Sequence, residues 1–468
     1  MLKRTIKTFV NRLLNPAQRS RSSGPRRYER QEHGIDRRLV SRHAVKVCEV
    51  LSQQGYEAYV VGGAVRDLIV GLEPKDFDVA TNATPEQIRA LFRRARIIGR
   101  RFRLVHVVFG QEIIETSTFR ADDSGKQTDE HGRILRDNEF GTLQDDAARR
   151  DFTLNALYYD PLSETVIDYH NGVADLKERL VRIIGDPETR FREDPVRMLR
   201  AVRFAAKLDA AIEPKTDEPI KRLSRLIENV PESRLFDETL KLLNCGHAMD
   251  CIRRLQAEGL HAKLLPMIEP VQRLPGGEAF LEMALARTDT RVRAGKSVSP
   301  SFIYACLLWK LVQKEWQQRC DKGDHPQQAL LEAADQVIEA QTRIMPIQKR
   351  FQSDMREIWF MQPRFERIAN RAIWRMTEQP RFRAAVDFMQ LRAEAKEVDS
   401  VQAQWWMDLA NADDDTRSEM IAVRKPASAT SSGQGGVAGA ATARSSQRRN
   451  RRRRSNAKRT QQGGGIEA

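Results

Sequence analysis

The stretch Val60-Val61-Gly62-Gly63-Ala64-Val65-Arg66-Asp67, followed by Asp76-Phe77-Asp78, decides how this chain is read. Apolar, β-branched residues run into two glycines, and a helical pattern begins directly after them. Glycines let phosphate groups approach backbone N–H groups, and a helix start adds partial positive charge. Asp76 and Asp78 are two apart in a segment that reads as a strand, so their side chains share one face. Two carboxylates on one face can hold a pair of Mg²⁺ ions about 3.5–4 Å apart. Alone, Gly-Gly is a turn and Asp-x-Asp a solvated edge. Together, at this spacing, they describe a phosphate cradle feeding a two-metal site.

Outward from this stretch the pattern alternates between helix and strand. Residues 38–54 read as a helix closed by Gly55, 57–61 as a strand, 64–70 as a helix and 76–80 as a strand. Thr84-Pro85-Glu86 opens a further helix with Pro in its first turn. Strands are expected at 96–98, 103–109 and 112–116, a polar loop at 121–142, and a hairpin at 157–160 and 166–169. From about 175 to 415 amphipathic helices dominate, at 195–208, 233–243, 249–258, 327–344 and 381–396. Pro266, Pro270, Pro346, Pro363 and Pro380 punctuate them. The fold class is α+β: a head with a short mixed or antiparallel sheet and helices, an all-α neck and body, and disordered basic tails. The expected divisions are a basic arm at 1–35, a head at 36–172, a helical neck at 173–262, a helical body at 263–415 and a tail at 416–468.

Charge is concentrated at the ends. The 468 residues carry a net charge of +15, of which residues 1–30 supply +8 and residues 421–468 supply +10. The middle is close to neutral. Basic arms on a balanced core point to a polyanion, with RNA or DNA ahead of mere solubility. The longest apolar run, 302–309, is far short of the ~20 residues of a membrane span, and no signal-peptide core is visible. Integral membrane and Sec-exported classes are therefore excluded, and the cytoplasm is the expected location. Residues 2–14 have apolar residues at helical spacing among Lys and Arg, a pattern shared by membrane-surface helices and transit peptides, so peripheral association is the most that is expected. Cys48, Cys245, Cys251, Cys306 and Cys320 form no Cys-x-x-Cys and are odd in number. They read as reduced thiols, with Cys245 and Cys251 as buried small side chains rather than a pair.

Gly62-Gly63-x-x-Arg66-Asp67 followed by Asp76-x-Asp78 resembles the signature of the polymerase-beta-like nucleotidyltransferases. More closely, it is similar to the class II branch of bacterial poly(A) polymerases and CCA-adding enzymes. The resemblance continues through Arg149-Arg150-Asp151-Phe152-Thr153-Leu154-Asn155-Ala156, through Asp175-Leu176-Lys177, and through residues 192–205, and it covers roughly residues 36–396. It implies that Asp76, Asp78 and Asp151 are catalytic and bind two Mg²⁺ ions, with Asp151 ligating the metal that activates the RNA 3′-OH. An ion pair of Asp151 with Arg149 or Arg150 is the structural alternative. Gly62, Gly63 and Arg66 would hold the β- and γ-phosphates, Asp67 would cap or orient Arg66, and Arg149 and Arg150 would face the triphosphate of ATP.

Asp194 and Arg197 lie three apart at the start of a helix. The resemblance implies that they read the base edge of the incoming nucleotide, a carboxylate accepting from an exocyclic amine and a guanidinium donating to a ring nitrogen. Without it they would be read as an i,i+3 salt bridge. The segment Ile97-Ile98-Gly99-Arg100-Arg101-Phe102-Arg103-Leu104-Val105-His106-Val107 resembles the bacterial poly(A) polymerases, and Arg100, Arg101 and Arg103 are candidates for primer contact. His106, among valines, reads as a satisfied core residue. Trp374, Phe382 and Phe388 could stack on bases, but core packing fits them better. The expected activity is template-independent addition of AMP from ATP to single-stranded RNA 3′ ends. The alternatives are a CCA-adding tRNA nucleotidyltransferase and, in another class, a non-catalytic RNA-binding protein.

Overall fold

In the computed structural model, which describes residues 24–99, 103–121, 140–367 and 370–423, Val60 and Val61 lie in the middle of an eight-stranded mixed sheet. Its strands are β1 (Arg26–Tyr28), β2 (Ala58–Val61), β3 (Asp78–Thr81), β4 (Ala95–Ile98), β5 (Leu104–Phe109), β6 (Glu112–Thr118), β7 (Leu157–Asp160) and β8 (Thr165–Asp168). The spatial order is β1-β8-β7-β2-β3-β6-β5-β4. Neighbours are antiparallel except β3 and β6, whose parallel register sets Asp78 beside Glu115. A second, two-stranded parallel pair joins β9 (Leu180–Val181) to β10 (Ala211–Ile212), in a region whose sequence carries almost no strand signal.

Helix α1 (Arg42–Gln53) is capped by Ser41, whose hydroxyl accepts from the N–H groups of His43 and Ala44. Its buried residues Ala44, Val47, Cys48 and Leu51 recur at helical spacing and face the sheet. Then come α2 (Gly63–Ile69), α3 (Pro85–Leu91), α4 (Leu143–Ala148), α5 (Gly172–Lys177), α6 (Pro187–Glu193) and α7 (Val196–Lys207). Thr84 and Gln87 form the capping box of α3. Asp168 accepts from the N–H groups of Gly172 and Val173 and so ties α5 to the end of β8. A Cβ on Gly172 would lie 2.2 Å from the Thr153 carbonyl oxygen, so only glycine fits at that crossing.

Beyond β10 the described chain is helical, with α8 (Pro214–Leu223), α9 (Glu232–Leu243) and α10 (Ala248–Ala257) leading into longer helices such as Pro300–Asp321 and Lys349–Arg367. One continuous apolar core joins sheet, neck and the first part of the body, and a second gathers Met361, Phe365, Phe382, Met389 and Trp406. Phe382 and Phe388 are buried, as core packing requires, whereas Trp374 is exposed.

The structure departs from the sequence reading in several places. Part of the expected N-terminal arm belongs to the sheet: β1 pairs antiparallel with β8 and Tyr28 is buried, because an open sheet edge offers backbone partners to any short extended segment. Helix Asp414–Val423 extends into the expected tail, held by Ile421 in the second core. Pro363 lies inside Lys349–Arg367 instead of ending it, since Met361 and Phe365 on either side are buried. The strand expected at 76–80 begins at Asp78, which leaves Asp76 in the approach to β3.

Candidate active site

The glycine turn comes first. Gly62 has φ 74° and ψ −126°, and a Cβ there would lie 3.3 Å from Nη1 of Arg150. Both backbone and space therefore demand glycine. Its N–H donates to the Leu157 carbonyl at 3.1 Å, which pins the turn to β7.

Arg66 is buried beneath this turn. Its Nε and Nη2 donate to Asp67 Oδ1 at 2.9 and 2.7 Å, and its Nη1 to Asn155 Oδ1 at 2.7 Å. Lys207 Nζ, from α7, donates to Asp67 Oδ2 at 2.8 Å. Asp67 thus orients Arg66, and Arg66 supports the glycines from within. A guanidinium so engaged holds the shape of the glycine turn without opening to solvent.

Asp76 and Asp78 are exposed and have no hydrogen-bond or ion-pair partner among the described residues. Protein atoms nevertheless crowd Asp78. Desolvation and the neighbouring Glu115 push its carboxyl up to about 6, against the pull of Arg150, with Asp76 adding to the rise. Glu115 is the residue that the sequence reading missed. It lies on β6 directly beside Asp78, and His106 on β5 faces it with Nε2 at 3.3 Å from Oε1. His106 is therefore a half-buried cross-strand partner of a carboxylate, not a core residue. The signal in sequence was a single Glu in the apolar and Thr-rich run 113–118, uninformative until β6 is known to run parallel to β3.

Arg150 is clamped in place. Nε donates to Tyr158 Oη at 2.9 Å and Nη2 to Asp146 Oδ2 at 3.1 Å, while Tyr158 Oη donates to the same oxygen at 2.6 Å. Nη1 lies against Gly62. The ion pair of Arg150 is thus with Asp146, and its charge acts on Asp78.

Asp151 does not join Asp76 and Asp78. Its Oδ2 accepts from Arg200 Nε at 2.6 Å, and its Oδ1 from the Phe152 N–H at 2.8 Å and Asn155 Nδ2 at 3.1 Å. Burial opposes its charge, but Arg200, Asn155 and the Phe152 N–H together hold the carboxyl below its ordinary value. The carboxylates acting on Asp78 are Glu115 and Asp76. Among the described residues, no three acidic, His or Cys side chains close into a complete metal cage.

The base-reading candidates stand at the junction of α6 and α7. Asp194 and Arg197 are not paired with each other. Asp194 Oδ1 accepts from the Val196 N–H at 3.2 Å and Oδ2 from Arg234 Nη2 of α9 at 2.7 Å. Arg197 Nη1 donates to Glu193 Oε2 and to the Arg190 carbonyl, both at 2.8 Å. Arg190 Nη2 in turn donates to the carbonyls of Arg149 and Arg150 at 2.8 and 2.7 Å. Backbone from the Arg149-Arg150-Asp151 block is thereby fastened to the helix that precedes Asp194. Arg103 pairs with Glu86; Arg100 and Arg101 lie outside the described residues.

Residues 58–182 match the model of the poly A polymerase head domain. Residues 210–271 match a probable RNA and SrmB-binding site of polymerase A, and 322–456 its arginine-rich C-terminus. Poly(A) polymerase I of Salmonella typhi is 45% identical over 392 residues, 81% of this chain and 84% of that relative. The chain belongs to the poly(A) polymerase family. Poly(A) polymerase I of Haemophilus influenzae is 41% identical over 86% of this chain and 93% of its own length. The solved CCA-adding enzyme of Bacillus stearothermophilus, in complex with CTP, superposes with a TM-score of 0.54 at 27% identity, over 78% of this chain and 80% of that one. The family shares a nucleotidyltransferase fold with CCA-adding enzymes, and no described helix is long and apolar enough to cross a membrane.

Proposed function

We propose that this chain extends RNA 3′ ends with AMP from ATP, releasing pyrophosphate, in the cleft between the Gly62-Gly63 turn and the Asp78–Glu115 pair. The observation that carries the site assignment is the parallel register of β3 and β6, which gathers carboxylate charge opposite Arg150. Membership of the family makes the chain a nucleotidyltransferase that adenylates RNA. Long coverage of the poly(A) polymerase I relatives favours that activity over CCA addition; the CCA-adding enzyme of Geobacillus stearothermophilus is matched over 58% of this chain.

The donor set fits two Mg²⁺ ions. Asp76 and Asp78 are hard oxygen donors without a partner among the described residues, and the crowding that raises Asp78 is relieved by a cation. We assign metal holding to Asp76, Asp78 and Glu115, with substrate phosphates completing the shells, and the role first expected of Asp151 passes to Glu115. Bound there, the metals would lower the pKa of the 3′-OH and neutralise charge on the attacking and leaving oxygens. Arg150 and the Gly62-Gly63 backbone receive the triphosphate, while Arg66, Asp67 and Asn155 hold that backbone in shape. Asp151, through Arg200, fixes the catalytic block against α7. Asp194 and Arg197 present an acceptor and a donor to the adenine edge, and Arg234 holds the Asp194 carboxylate in position. The helical neck and body and the basic tails bind single-stranded RNA through its phosphates. A head that starts at β1, a neck at 173–262, a body that reaches Ile421, and a cytoplasmic location complete this reading.

A generic RNA and single nucleoside triphosphates with Mg²⁺ test it. A long ladder with ATP alone is expected; addition confined to tRNA and requiring CTP would transfer the chain to the CCA-adding activity. Arg197→Ala is expected to weaken ATP use by about 1–3 kcal/mol and to relax choice of base, because partners in a site built to pair are left unsatisfied. Competition between ATP, CTP and UTP measures this, and unchanged preference would make Arg197 a purely structural partner of Glu193.

Truncation after Arg424 tests the tail, since Ile421 belongs to the folded core. Removing residues 425–468 should leave ATP addition intact at saturating RNA. If half of the removed charges reach phosphates, the plot of log affinity against log salt should flatten by roughly 3 units. Parallel salt plots would show that the folded part alone holds RNA.

A further inference from the structure

We propose that Cys245 and Cys251 are a reversible disulfide site beside the helix that carries Arg197 and Arg200. Their Sγ atoms stand 3.5 Å apart, so closing to a disulfide of about 2.05 Å needs only a small side-chain movement. Cys245 follows α9 and Cys251 lies in the first turns of α10, with Gly246 at φ +87° turning the chain back between them. The two thiols are also chemically unequal. Cys245 is partly exposed, and the Cys251 thiol and the His247 N–H, with Arg203 nearby, hold its thiol below the usual range against burial and Asp289. Cys251 is buried and keeps its proton because of Cys245 and desolvation. Cys48 and Cys306 are buried, with their thiols pushed up by desolvation.

The reaction needs a small-molecule disulfide, such as oxidised glutathione, as oxidant. The Cys245 thiolate attacks one of its sulfurs, forms a mixed disulfide and expels one thiolate. Cys251 then loses its proton, attacks Sγ of Cys245 and expels the second thiolate. The protein loses two protons and two electrons, and the oxidant becomes two thiols.

The consequence runs through Arg203. Burial and neighbouring Arg200 already disfavour its charge, and its Nε is buried with no hydrogen-bond partner. The nearest carboxylate is Glu238, at 4.0 Å. Cys245 is among the groups that offset this, and a disulfide takes away its capacity to ionise. Arg203 lies over the Phe204 ring at 4.6 Å, and Arg66 and Arg200 share that ring at 4.9 and 5.4 Å. A shift of Arg203 is therefore felt where Arg66 supports the glycine turn and Arg200 holds Asp151.

The disulfide stands apart from the reading of function; only its effect on ATP rests on that reading. Full-length protein would be treated with oxidised glutathione, digested without reduction and analysed by mass spectrometry, with the KM for ATP measured before and after. A linked peptide joining Cys245 to Cys251 is expected, together with a rise in KM of roughly 2- to 30-fold, the span of coupling through packed side chains, reversed by dithiothreitol. Cys251→Ser should trap glutathione on Cys245. Cys245→Ser, at the more exposed position, serves if Cys251→Ser does not fold, and should leave Cys251 unmodified and KM insensitive to oxidant. Absence of the linked peptide under conditions that modify Cys245 overturns the site. A linked protein with unchanged KM overturns the coupling through Arg203 while leaving the activity assignment untouched.

Discussion

Asp78→Asn should reduce nucleotide addition by about three orders of magnitude or more and yet leave the protein at least as stable as its parent. Amide for carboxylate keeps size and removes the charge on which metal holding depends. The stability half follows from the sign of the shift. The Asp78 carboxyl is raised from 3.8 to about 6 by desolvation first and by Glu115 next. A raised acid binds its proton more tightly in the folded state, so its stabilising contribution is whole below about pH 4 and is lost as pH rises through 6. Asparagine never bears the charge. Without divalent cations, the variant's melting temperature should match the parent's at pH 4 and equal or exceed it above pH 6. Because Asp78 is exposed at its surface, solvent screening keeps this gain modest. Thermal melts across that range, beside primer extension at saturating Mg²⁺, would settle both halves. Near-parental turnover would remove Asp78 from the reaction, and a lower melting temperature at neutral pH would contradict its crowding.

Local chemistry was legible in the sequence; what depended on distant pairing was not. Gly62 could be assigned to a tight turn because only glycine tolerates φ 74° there. The helix read at 38–54 and the strand read at 57–61 follow from periodicity and are found at 42–53 and 58–61. Glu115 could not be found this way. It becomes informative only when a crossover sets β6 parallel to β3, a choice that no local pattern encodes. The surroundings of Asp151 escape a local reading for a related reason. An Asp after two arginines invites pairing with them, but its partner is Arg200, 49 residues on, and its second oxygen is held by its own loop. Asp194 and Arg197 are spaced for an i,i+3 pair, yet α9 delivers Arg234 to the first and α6 delivers Glu193 to the second. The thiol pair was likewise dismissed because six residues of spacing do not reveal that α9 and α10 fold back at Gly246.

Glu115→Gln set against Asp151→Asn separates the two assignments of the third carboxylate. Glu115→Gln should cut turnover by about two to three orders of magnitude and raise the Mg²⁺ concentration needed for half-maximal rate. Its fold should survive, because the Glu115 side chain is half exposed and a glutamine can still meet His106. Asp151→Asn should act the other way. The charge it removes is the buried partner of Arg200, whose side chain is 30% exposed. Stripping one member of a buried pair costs about 3–5 kcal/mol, and the partial exposure of Arg200 brings this to about 1–3 kcal/mol. The expected outcome is a lower melting temperature and a higher KM for ATP, since α7 loses its tie to the catalytic block, with the Mg²⁺ requirement unchanged. His106→Gln, which can still donate to Glu115, should fall between parent and Glu115→Gln in Mg²⁺ requirement and match the parent in stability. Mg²⁺ titrations of rate, paired with urea unfolding, distinguish these outcomes. Should Asp151→Asn abolish metal dependence with stability intact while Glu115→Gln turns over normally, the third ligand is Asp151, and its bonds to Arg200 and Asn155 must break before the metals bind.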